Sequence, residues 1–150
     1  MKSLIFSSII LISLASCKKI VCEEGPVSRE DISQSTLYGA GDENIDESNL
    51  VIKTQNEWDD LIEKIDAVND ESSNFSTTVI DFNTHMVIAC FDKVQPNGGY
   101  SLEIGTVNHD GTQLNVEVIK TSSSGMVTQV ITQPYEIIVV KRCDDNVVFY

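Results

Sequence analysis

Apolar residues crowd into two nearly unbroken runs, 85–94 and 135–142, and between them the pattern changes to alternation. Continuous runs of this length predict central strands covered on both faces. The alternation at 100–107 and 114–119, where Leu114, Val116 and Val118 share one side, predicts a hairpin with one wet face, turned at Asn108-His109-Asp110-Gly111. Segment 126–132 has strand composition with weaker alternation, and 147–150 fits a short edge strand. Ahead of these, Leu50-Val51-Ile52 reads as a strand, and Thr54 with Glu57 three residues on is a capping box opening a helix. Trp58, Leu61, Ile62 and Ile65 recur at helical spacing while Asp59, Asp60, Glu63 and Lys64 face water, so Trp58 is read as core. The polar stretch 68–78 ends the helix. The expected fold is α+β and mainly antiparallel β: a small sandwich or partly closed barrel of about six strands, with one amphipathic helix near the N-terminus of the domain.

Between the first apolar run and the hairpin lies Gln95-Pro96-Asn97-Gly98-Gly99-Tyr100, around which the rest is organised. Pro96 presets one φ, and Asn97, Gly98 and Gly99 tolerate positive φ, so a tight, side-chain-poor reversal is expected there. Two further loops stand out by composition. Thr121-Ser122-Ser123-Ser124-Gly125-Met126 combines small polar residues with an apolar tip, and Gln133-Pro134-Tyr135 leads into the second apolar run.

The N-terminus adds a compartment. Lys2 precedes an apolar run over 4–14 that is too short to span a bilayer but suits a signal peptide, and Leu14-Ala15-Ser16-Cys17 follows. Small residues before a cysteine match the site at which bacterial lipoproteins are cleaved and lipidated, which makes Cys17 the expected lipid anchor. The expected organisation is a lipoprotein signal peptide at 1–16, an acidic flexible tether at 17–48, where apolar periodicity is sparse, and one domain at 49–150. The expected location is the bacterial cell envelope, with the membrane reached through the lipid alone.

Charge narrows the partners. Ten Lys and Arg stand against 23 Asp and Glu, a net charge of −13, and no basic cluster exists to hold a phosphate backbone, so nucleic acid is excluded. The acids at 42–47 lack the oxygen spacing and turn glycine of a calcium loop, so no metal is expected. Besides Cys17 there are Cys22, Cys90 and Cys143. Cys90 sits in an apolar run as a small hydrophobe, and a Cys22–Cys143 bridge is one way an exported chain pairs the other two.

No catalytic constellation appears. The two histidines are read as a solvated turn residue (His109) and a surface strand residue (His85); His85 and Cys90, five apart on a strand, point to opposite faces. No Gly-x-Ser-x-Gly, Cys-x-x-Cys, His-x-x-x-His or phosphate-loop pattern is present, and an enzyme reading is left with scattered acids such as Asp92, Glu103 and Glu117. The expectation is a protein without catalysis or cofactor that works through its loops as a protein-binding module.

Gln55-x-x-Trp58 at a helix start, then Pro96-x-Gly98-Gly99-Tyr100-Ser101-Leu102-Glu103-Ile104, then Thr128-Gln129-x-x-Thr132-x-Pro134-Tyr135 before an apolar strand resemble the C-terminal domain of PrcB, a protease complex subunit. The resemblance covers roughly residues 50–143. It implies an exported, often lipid-anchored, non-catalytic protein that assembles with or stabilises a secreted peptidase. The partner contacts it suggests are Pro96, Asn97, Gly98, Gly99, Tyr100, Gly125, Met126, Pro134 and Tyr135. A fainter likeness, in the order of the three loops, is to chagasin-like inhibitors of cysteine peptidases, which wedge such loops into a cleft. An up-and-down count through a strand at 126–132 puts Pro134 at the opposite end from the other two loops, against a shared wedge.

Overall fold

The computed structural model describes residues 20–150, so the expected leader and Cys17 lie outside the described residues. The element order is β1 (Gly25–Pro26), β2 (Arg29–Leu37), β3 (Ser48–Ile52), α1 (Gln55–Ile65), a 3-10 turn (Glu71–Asn74), β4 (His85–Phe91), β5 (Tyr100–His109), β6 (Gln113–Ser122), β7 (Gln133–Lys141) and β8 (Asn146–Phe149). They form two open four-stranded sheets, β1-β5-β6-β8 and β2-β7-β4-β3, antiparallel throughout except for β6 against β8. The fold is the α+β sandwich that the apolar pattern predicts, with two more strands than expected.

The apolar runs became β4 and β7, neighbours at the centre of the second sheet. Each of their faces is buried against a different layer. Val87, Ala89, Phe91, Tyr135, Ile137 and Val139 pack under α1 with Trp58, Leu61 and Ile65. Met86, Ile88, Cys90, Ile138 and Val140 meet Leu102, Ile104, Val107, Leu114 and Val116 of β5 and β6. A residue buried completely on either side is worth roughly 1.5–3 kcal/mol relative to exposure. Both layers therefore depend on the same two strands. The helix starts with the capping box, Thr54 accepting from the Glu57 N–H while the Glu57 carboxylate accepts from the Thr54 N–H, and the Trp58 indole donates to the Thr78 carbonyl at 2.9 Å.

Three expectations are corrected. The stretch expected as a flexible tether is folded from Gly25 onward: β1 pairs with the end of β5, and β2 pairs along the whole of β7. An edge strand needs few apolar residues, and β2 has two, Ile32 and Leu37. Five residues apart, they face opposite sides of a regular strand, but a register shift between Asp31 and Ser33 turns both into one core, which hides the alternation. Segment 126–132 is not a strand; only Thr132 forms an isolated bridge, with Gln95. His109 is 1% exposed, the last residue of β5, with its Nε2 3.2 Å from Asp145 Oδ2. The turn tightens to Asp110-Gly111-Thr112, where Gly111 takes φ +93° and Asp110 Oδ1 accepts from the Thr112 and Gln113 N–H groups.

Cys22 and Cys143 form a disulfide across 121 residues, and beside it Ile20 and Asp144 exchange hydrogen bonds. Cys90 is the free cysteine among the described residues, and burial, with the Glu136 charge adding to it, pushes its thiol up to about 12. It is inert as a nucleophile.

Candidate functional site

Strand register defines two ends of the sandwich. At one, His85 pairs with Lys141 and Arg29 with Val140, close to the disulfide. At the other, Phe91 lies beside Tyr135 and Ser48, and Leu37 beside Gln133. From this second end rise the loops 38–47, 92–99 and 123–132. The two loops singled out first in the sequence are thus neighbours, and the absence of a strand at 126–132 is what brings them together.

They are joined bond by bond. Gln95 and Thr132 exchange backbone hydrogen bonds at 2.7 and 3.0 Å, and the Thr132 hydroxyl donates to the Asn97 carbonyl at 2.7 Å. Further out, the Gly98 N–H donates to the Thr128 carbonyl at 3.0 Å and the Ser123 N–H to the Gly99 carbonyl at 2.7 Å, while the Asn97 side chain accepts from the Gly99 N–H at 2.9 Å. Five hydrogen bonds, four of them between backbone groups, thus join the two loops.

The glycines serve this contact in an unexpected way. Neither Gly98 nor Gly99 takes positive φ. A Cβ on Gly98 meets Thr128 Oγ1 at 2.3 Å, and one on Gly99 meets Val127 Cγ1 at 2.7 Å. Both are glycine because the second loop packs directly on the backbone, which corrects the expectation of a positive-φ reversal.

Beneath the loops lies a polar floor. Asp92, 4% exposed, accepts from Gln95 Nε2 at 2.6 Å and pairs with Lys120 at 2.9 Å; Lys120 also pairs with Glu47. Burial pushes the Asp92 carboxyl up, but the hydrogen bonds from Gln95 and Lys120 outweigh it and hold the group below the usual carboxylate range. Gln133 Nε2 donates to the Ile45 carbonyl at 2.7 Å and the Asp92 carbonyl at 2.9 Å, tying the third loop of this end to the other two.

What these loops offer outward is apolar and backbone-rich. Met126 is fully exposed, and Val94, Val130 and Ile131 are between 40% and 47% exposed. Pro96, Gly98 and Gly125 are exposed, and Asn97, Gly99 and Tyr100 half-buried. Between Tyr100, Ser122, Ser123, Met126 and Val127 is an open depression of about 500 Å³.

Residues 86–141, from β4 to β7 with both loops between them, match the family model described as PrcB C-terminal. This segment is similar to the PrcB C-terminal family. No curated protein and no solved structure matches the chain. The PrcB C-terminal segment contains both sequence motifs, and their pairing has a physical reason: Gly98 and Gly99 of one fit Thr128 and Val127 of the other.

The expected contacts divide. Pro96, Asn97, Gly98, Gly99, Tyr100, Gly125 and Met126 come together on one surface. Pro134 and Tyr135 do not join it: both are buried at the start of β7, Tyr135 completely, with its hydroxyl donating to Glu71 at 2.9 Å and 3.0 Å from the Ser33 hydroxyl. They are core residues, because β7 begins at Gln133, two residues before the expected strand. Sequence reasoning missed Val94, Val130 and Ile131; the adjacent apolar pair Val130-Ile131, breaking the alternation of its segment, was the available signal. The scattered acids do not converge on a common site: Asp92 is bound to Lys120 and Gln95, Glu117 accepts from Thr106, and Glu103 faces water on β5.

Proposed function

We propose that this chain is a lipid-anchored, non-catalytic protein-binding module of the bacterial cell envelope, a PrcB-like subunit that assembles with or stabilises an exported protease. Cys17 carries the lipid. The loop surface around Gly98, Gly99 and Met126 carries the partner. One observation supports this most: the two motif loops of the PrcB C-terminal segment are hydrogen-bonded into a single preformed surface, with apolar side chains exposed at its rim. A surface ordered before binding loses little entropy on docking, and exposed Met, Val and Ile flanked by polar backbone make an adaptable apolar contact.

Affinity recovery from envelope extracts tests it, with the wild-type chain, Gly98→Val and Met126→Asp, the recovered proteins being identified by mass spectrometry. A peptidase recovered with wild type and lost with both variants is the expected result. Equal recovery by all three removes the loops from the proposal. Release of Cys17→Ser protein from the membrane fraction tests the anchor independently.

A second reading, inhibition of a cysteine peptidase, is favoured by the side-by-side placement of the loops at 96–100 and 121–126, but the third loop it needs is the buried Pro134-Tyr135. Micromolar protein that leaves a papain-like enzyme uninhibited excludes it.

A further inference from the structure

Two other sheet edges, those of β5 and β2, are closed largely by side chains. Along β5, beyond the short β1, the Arg29 guanidinium donates to the Ile104 and Gly105 carbonyls, Gln34 donates to the Leu102 carbonyl at 3.1 Å, and the Glu136 carboxylate accepts from the Ile104 N–H. Along β2, the Ser76 N–H and hydroxyl donate to the Ile32 and Asp31 carbonyls at 3.0 and 2.8 Å. Edges blocked in this way cannot accept another strand.

β3 is different. It pairs with β4 on one side, and on the other no described strand pairs with it. Roughly half of its five residues must therefore aim N–H and C=O groups outward. α1 stands next to this edge, and Leu50, Val51 and Ile52 with Glu57, Asp60, Leu61 and Lys64 line a groove of about 260 Å³. The groove thus has a ladder of backbone donors and acceptors along one side and a helix along the other.

We propose that this groove binds an extended, basic segment of a partner protein, which adds to the sheet as a fifth strand beside β3 and under α1. Backbone pairing supplies the affinity, and side chains on alternate positions of the incoming strand meet Leu50, Ile52 and Leu61. Charge decides the occupant. The exposed side of α1 carries Glu57, Asp59, Asp60 and Glu63 against Lys64. Glu57 stays ionised through the hydrogen bonds it accepts from the Lys53 N–H and from Thr54. The same charges oppose a second copy of this chain: antiparallel pairing of two β3 strands centred on Leu50 brings two acidic helices toward each other in chains that each carry −13. This groove is distinct from the loop surface, so its failure leaves the function proposed above untouched.

The test uses the isotope-labelled full chain and a short peptide of alternating lysine and valine. The expected result is saturable binding, with amide shifts confined to residues 48–52 and the groove side of α1. The same peptide methylated on alternate backbone nitrogens fails to bind, because it cannot pair. Asp60→Lys, on the exposed face of α1, weakens the lysine peptide by about three-fold and strengthens a glutamate–valine peptide, the size expected for an exposed ion pair. Equal binding by the methylated peptide, shifts centred elsewhere, no binding at millimolar peptide, or dimers of the chain paired through β3 each overturn the proposal.

Discussion

If Gly99 is glycine because the second loop lies on it, shrinking that loop must rescue a larger residue at 99. In Gly99→Ala the new methyl meets Val127 Cγ1 at 2.7 Å, Asn97 Oδ1 at 3.0 Å and the Ser123 carbonyl oxygen at 3.4 Å. Two of these neighbours are poorly placed to yield: the Asn97 side chain is held by the Gly99 N–H, and Ser123 by its hydrogen bond to the Gly99 carbonyl. Overpacking of this kind costs about 1–3 kcal/mol. Alanine restores roughly 0.4–1 kcal/mol by restricting the unfolded chain, because φ at this position is not positive. The net expectation is a loss of about 1–2 kcal/mol. Val127→Ala alone removes part of a half-buried side chain and costs about 1 kcal/mol or less. In the double variant Cγ1 is gone, so the loss is smaller than the sum of the two by about 1 kcal/mol. Urea unfolding followed by the fluorescence of the single, buried Trp58 measures all three. Costs that add within about 0.5 kcal/mol refute the reasoning and return Gly99 to an explanation by backbone conformation.

Three other outcomes follow from the same contacts. Tyr135→Phe removes a hydroxyl bonded to Glu71 and Ser33 and lowers stability by about 1 kcal/mol while leaving partner recovery intact; lost recovery at unchanged stability makes Tyr135 a contact after all. Because the Asp92 carboxyl is held below its ordinary value of 3.8, the stability it contributes is complete above that value and is lost as the pH falls through the lowered one. Asp92→Asn is therefore expected to flatten the acid limb of an unfolding-versus-pH curve, and an unchanged limb refutes the pairing with Lys120 and Gln95. Cys22→Ser, or reductant on the wild type, is expected to cost about 2–5 kcal/mol in thermal or urea unfolding, as is typical for a native disulfide in a small domain; an unshifted transition shows that the N-terminal segment is not held by it.

The parts of the fold legible in the sequence were those whose pattern no irregularity interrupts. The runs around Val87 and Ile138 announced doubly covered strands, and Thr54 with Glu57 and the Trp58, Leu61, Ile65 spacing announced the helix. β2 was hidden by its bulge, since Ile32 and Leu37 share a face only after the register shift. Residues 126–132 misled for a related reason: Val127, Val130 and Ile131 have strand composition, but the hydrogen bonds of this segment go to Gln95, Asn97 and Gly98 through isolated contacts in place of a ladder. The site was legible as two motifs. That each motif exists to fit the other was not, because a close approach between residues 98 and 128 leaves no periodic trace.

The disulfide changes what an anchor at Cys17 implies. A tether extending to residue 48 lets a domain roam far from a bilayer, and its loops then reach partners in almost any orientation. With Cys22 bound to Cys143 and Ile20 bound to Asp144, the length left free is a few residues, and five fully extended residues span at most about 18 Å. The attachment point is also at the end of the sandwich remote from the loops, separated from them by the seven residues of β4, or roughly 23 Å of strand. If Cys17 carries a lipid, the attachment point and the loop surface of Gly98, Gly99 and Met126 therefore lie at opposite ends of the domain. With such an anchor, a partner lying flat on the same bilayer would meet the flank first, and one projecting by about the height of this domain would meet the loops. On that reading the disulfide, by shortening the free linker, would let the two proposed surfaces sort partners by height above the bilayer as well as by chemistry.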